Sequence, residues 1–126
     1  MLFILNSNGI STHIISNALG TVPQPTLDRL ATLREMFRDK CQLVGLHHHV
    51  ALPSTLPDAA ISRFVQRMMF LDNASDLIRV LQVSPPVAVF HGHRHVEYQG
   101  VIGGVHVLSA PSTTLGDETR GTPPGF

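Results

Sequence analysis

Apolar positions along this chain gather into short runs separated by turn chemistry, and the runs follow two different periods. Leu2-Phe3-Ile4-Leu5, Leu43-Val44-Gly45-Leu46 and Val87-Ala88-Val89-Phe90 are continuous and short, which predicts buried strands. The first runs into Asn6-Ser7-Asn8-Gly9, a turn signal, and an irregular loop is expected from Ile10 to Pro25. From about Pro25 to Asp39 the period lengthens. Leu27, Leu30, Leu33 and Phe37 recur at helical spacing and predict one buried helix face, with Pro25 or Thr26 near its start.

Ala59 to Phe70, with Ile61, Phe64, Val65 and Met68, has mixed helical periodicity behind a loop bounded by Pro53 and Pro57. A further helix carries Leu77, Ile78 and Leu81, with Asn73 or Ser75 as its expected cap. Val96 to Leu108 reads as two strands joined at Gly103-Gly104, a hairpin turn. Residues 117–126 are expected to form an irregular tail. This order predicts an α/β fold, a layered sheet with flanking helices and mixed parallel and antiparallel strands.

With 126 residues there is room for one domain, burying roughly two-thirds of its unfolded surface. Charged residues make up 14% of the chain, against about 25% in typical soluble domains. That supply is lean for a free-standing surface and suggests that further protein covers part of it. Nine basic residues balance nine acidic ones, so no general field for nucleic acid or an acidic membrane is expected. The single cysteine, Cys41, excludes an internal disulfide framework and reads as a small residue at a strand edge. No run approaches the ~18 apolar residues of a spanning helix, and Met1 to Leu5 lacks the basic start of a secretory signal. A cytoplasmic location is the default expectation.

The chemistry lies in the histidines, eight in all. Two clusters each follow a strand directly: His47-His48-His49 after Leu46, and His91-Gly92-His93-Arg94-His95 after Phe90. In open α/β sheets ligands bind beyond the carboxyl ends of strands, where both clusters fall. Gly92 permits a sharp turn that aims His93 and His95 at one point. Neutral imidazole is a common metal ligand, and a three-histidine set leaves coordination positions open, as catalytic sites do. If the two strands are neighbours, their ends lie roughly 5–10 Å apart and can share a metal. His13 and His106 are expected on the surface, His91 as a packing or hydrogen-bonding residue, and Arg94 turned away from any metal.

These residues carry a resemblance. Leu46-His47-His48-His49 with Leu52-Pro53 is similar to the middle histidine motif of the calcineurin-like metallophosphoesterases, where a strand ends in His-His-Pro-Pro or a near variant. Phe90-His91-Gly92-His93-Arg94-His95 resembles that family's closing Gly-His-x-His motif. Leu5-Asn6-Ser7-Asn8 resembles its Leu-Asp-Ser strand end, and Gly104 to Thr113 the strand and loop that close the cyclic-nucleotide-phosphodiesterase-like branch. The pieces occur in order along residues 2–126.

The resemblance implies a partial metallophosphoesterase-like sheet and hydrolysis of phosphomonoesters or phosphodiesters by a water activated between two divalent cations, Mn, Fe or Zn. By position, His47 and His93 would bind one metal and His95 the other. His48 would stand behind them or face the substrate, and Ser112 is a further candidate for substrate contact. His49 stands where the family has proline. The implied partner is a phosphate-ester substrate, with a nucleotide among the candidates.

The family's Asp-x-His, Gly-Asp-x-x-Asp and Gly-Asn-His motifs do not occur in the sequence, and Gly116-Asp117-Glu118 lacks the second aspartate. Without those carboxylates two dications would be left uncompensated. Residues 1–126 are therefore expected to be the carboxy-terminal part of one such domain, inactive alone, with at most partial metal occupancy. The amino-terminal half or a partner chain would supply the rest. The alternative is a non-catalytic truncated or split-gene product holding at most one metal, and an unrelated mononuclear three-histidine hydrolase or oxidase stands outside both.

Overall fold

The structure, a computed structural model, describes residues 1–8, 19–51, 70–83, 85–92 and 97–109. Seven elements follow in chain order: β1 (Leu2–Ile4), α1 (Gln24–Met36), β2 (Gln42–Gly45), α2 (Ala74–Gln82), β3 (Val87–His91), β4 (Tyr98–Ile102) and β5 (Val105–Ser109). The strands form one five-stranded sheet in the order β1-β2-β3-β5-β4. The first four run parallel in that order, and β4 closes the border antiparallel to β5. The α/β class with mixed pairing is thus present. No described helix is long and apolar enough to cross a membrane.

The β4–β5 hairpin turns on Gly103 and Gly104, with φ of 56° and 84°. Ile102 pairs with Val105 across this two-residue loop. Positive φ at both central residues matches the right-handed twist of the flanking strands, and only a residue without a Cβ adopts it freely.

Paired residues of neighbouring strands share a face of the sheet. Val44, Val89 and Val107 stand in one row of that kind and are fully buried. They join Leu27 and Leu30 of α1 and Leu77, Ile78 and Leu81 of α2 in a single core. The opposite face carries Leu2, Ile4, Phe90 and Val101, all exposed among the described residues.

The buried stripe of α1 differs from the one its leucines predict. Leu33 and Phe37 are only half-buried, and Arg34 takes the core position, 2% exposed. Its guanidinium donates to Gln42 Oε1 (2.9 Å), the Val80 carbonyl (2.6 Å) and the Pro85 carbonyl (2.6 Å). The Gln42 amide donates back to the carbonyls of Arg34 and Phe37. A buried cation is tolerated when its donors are matched, and a planar fork can reach three acceptors at once. Arg34 thereby ties α1, the start of β2, the last turn of α2 and the approach to β3 together.

Asn73 occupies the cap position of α2 but makes no side-chain cap bond. Its Oδ1 instead accepts from Val22 N–H (3.0 Å) and the Thr21 hydroxyl (3.3 Å), while its Nδ2 donates to the Val22 carbonyl (2.7 Å). A backbone segment brought alongside offers more partners than the helix end does. The helix expected over 59–70 lies outside the described residues except at Phe70, which forms a β-bridge with His49. Residues 117–126 also lie outside them.

Candidate metal centre

The carboxyl ends of β1, β2 and β3 stand side by side. Leu5 N–H donates to the Gly45 carbonyl (2.9 Å), Leu46 N–H to the Phe90 carbonyl (3.0 Å) and Gly92 N–H to the His47 carbonyl (3.2 Å). Pairing therefore continues beyond the strands themselves, and the backbone of the first histidine cluster touches that of the second. A cleft of about 510 Å³ opens at these tips, lined by Asn6, Ser7, Asn8, His47 and His91 with Leu5 and Phe90 among its apolar walls.

The three consecutive histidines have three different environments. His47 is exposed and lines the cleft. His48 is buried, with Nδ1 2.8 Å from the Ser7 hydroxyl, and its ring stands at 87° to that of His47. His49 is buried too, with Nδ1 3.2 Å from Nδ1 of His91. The chain bends at His47 and His48 just after β2, and the bend parts the two rings. The bridge to Phe70 then redirects the chain at His49.

His91, the last residue of β3, sits under the cleft with its ring tilted over Tyr98. Burial pushes its pKa down to about 4, opposed in part by a backbone hydrogen bond at Gly92. It is a neutral ring at physiological pH, bonded within the protein. His106 lies exposed on β5, and Cys41 is exposed just before β2.

Of the expected metal set, the described residues include His47 alone. His93 and His95 lie outside them, as do Ser112 and His13. Among the described residues no three His, Cys, Asp or Glu side chains group closely enough to hold a metal ion. Among the described residues no carboxylate lines the cleft either. Two imidazoles, one of them paired with His49, beside two asparagine amides do not make the donor set of a divalent cation, so these residues by themselves do not fit one. No family model matches this chain, and no curated protein matches it in sequence.

Two features of the site have no clear sign in the sequence. The buried His49–His91 pair could be anticipated only by knowing that β2 and β3 are neighbours. The Ser7–His48 contact joins residues far apart in the chain, and neither residue type signals it.

Proposed function

We propose that this chain supplies the histidine side of a metal-dependent phosphoesterase of the calcineurin-like kind, acting on phosphomonoesters or phosphodiesters. The observation that carries the reading is the Gly92 N–H bond to the His47 carbonyl. It joins the tips of two neighbouring parallel strands at the point where the sequence places His47 on one and His93 and His95 directly after the other. Divalent cations held there would require carboxylates, and among the described residues the cleft walls contain none. In this reading another polypeptide segment brings them, and residues 1–126 alone bind metal weakly and do not turn over substrate.

Calorimetric titration with Zn²⁺ and Mn²⁺, paired with hydrolysis of bis(p-nitrophenyl) phosphate, tests this. The expected result is uptake of at most one metal per chain, lost in His47→Ala, and no turnover above buffer. Zn²⁺ uptake indifferent to His47→Ala would overturn the assignment. Robust turnover by residues 1–126 would overturn the division of the centre.

The lack of a carboxylate among the described cleft residues also favours a second reading, a non-catalytic chain that holds one metal through its imidazoles. Supplying an acidic segment in trans separates the two, because only the first gains a second metal and activity.

A further inference from the structure

We propose that Ser7 and Gly20 act together as a positioning pair that holds His48 inward and so turns His47 into the cleft. The inference deepens the functional reading above and rests on it for the importance of His47. Its geometry is independent of any metal.

Ser7 follows β1 and is 1% exposed, as is His48. Its hydroxyl meets His48 twice, at the ring Nδ1 (2.8 Å) and at the backbone N–H (3.4 Å). A backbone N–H can only donate, so the hydroxyl oxygen accepts there, and with its own hydrogen directed at Nδ1 the hydroxyl bridges both groups. Nδ1 is then the acceptor, and the ring is held as the Nε2–H tautomer.

Gly20 closes the other side. A Cβ at this position would overlap Cγ, Nδ1 and Cβ of His48, so the ring occupies space that only glycine leaves. The backbone of Gly20 cannot retreat, because its N–H donates to the Phe70 carbonyl (3.0 Å) and its carbonyl accepts from Asp72 N–H (2.8 Å). The ring is gripped between a hydroxyl on one segment and a bare backbone on another. With His48 fixed inward, His47, its neighbour in the same bend with its ring at 87° to that of His48, is left outward, which is where it is found. In a run of three identical side chains, something outside the run must choose which one faces the cleft. Here the choice is made by Ser7 and Gly20.

The test is read on metal-free protein. Long-range ¹H–¹⁵N correlation on the wild type should give His48 a pyridine-like Nδ1 and a protonated Nε2; a protonated Nδ1 would overturn the tautomer assignment. Carbethoxylation by diethyl pyrocarbonate, mapped by peptide mass spectrometry, should modify His47 and spare His48. In Ser7→Ala, and separately in Gly20→Ala, His48 modification should rise roughly tenfold, the change that one lost buried hydrogen bond corresponds to. An unchanged pattern in both variants would overturn the positioning role. Should wild-type protein take up no Zn²⁺, the phosphoesterase reading fails while the tautomer and modification results still decide this one.

Discussion

Nδ1 of His49 lies 3.2 Å from Nδ1 of His91, and both side chains are buried beneath the strand tips. One nitrogen donates and the other accepts, so the pair exists only while at least one facing nitrogen is bare. Placing a proton on both rings would put two like charges in contact away from water.

Acid should therefore loosen the fold before carboxylates are protonated. His91 is pushed down to about 4 by burial, whereas an unfolded imidazole titrates near ~6.5. Between those values the unfolded chain binds the extra proton. The contribution is fully present above ~6.5 and is lost as pH falls toward 4, amounting to roughly 1–3 kcal/mol. Urea unfolding at pH 7 and pH 4.5 measures it, and equal stabilities at the two would refute the account.

Arg34→Met should cost about 3 kcal/mol, because it strands the buried acceptors of Gln42, Val80 and Pro85 together. Arg34→Lys should recover less than half, since an ammonium on a flexible stem cannot span three acceptors. Denaturant midpoints at constant slope provide the check. A Lys variant as stable as the parent would show that charge, not the fork, holds the junction.

Gly104→Ala should lower stability by about 1 kcal/mol through its left-handed backbone. The added methyl would meet nothing, since the space around Gly104 is open. Gly104→Asn should cost less, because asparagine tolerates that region. Thermal midpoints of the three proteins decide, and a penalty for Asn equal to that for Ala would point to something other than φ.

Zn²⁺ affinity should be pH-linked in the proposed centre. Imidazole ligands must be deprotonated, so affinity should fall as pH drops below ~6.5. Titrations at pH 7.5 and 5.5 with matching affinities would exclude histidine ligation.

Much of the sheet was legible because its signals are local. Continuous apolar runs marked β1, β2 and β3, and the Gly103-Gly104 pair marked the hairpin within a few residues of its place. What could not be read is anything decided by a distant partner. Arg34 looks like a surface residue until Gln42 and two carbonyls meet it, and Asn73 looks like a helix cap until Val22 offers both a donor and an acceptor. The insertion of β5 between β3 and β4 follows from packing across the whole sheet rather than from any run. Within the site, the bend at His47 and His48 explains why their rings part company. It does not explain His49, whose burial depends on the bridge to Phe70. His93 and His95, which the functional reading needs, lie outside the described residues.

The junction built on Arg34 stands at the amino ends of the strands, where Gln42 opens β2 and Pro85 leads into β3. None of its partners changes protonation between mild acid and neutrality. His47, His48, His49 and His91 gather at the opposite rim. The Arg34 junction is thus an acid-indifferent foot and the His49–His91 pair an acid-responsive brim, so amide exchange quickened by mild acid would begin at the brim while the helices stay seated.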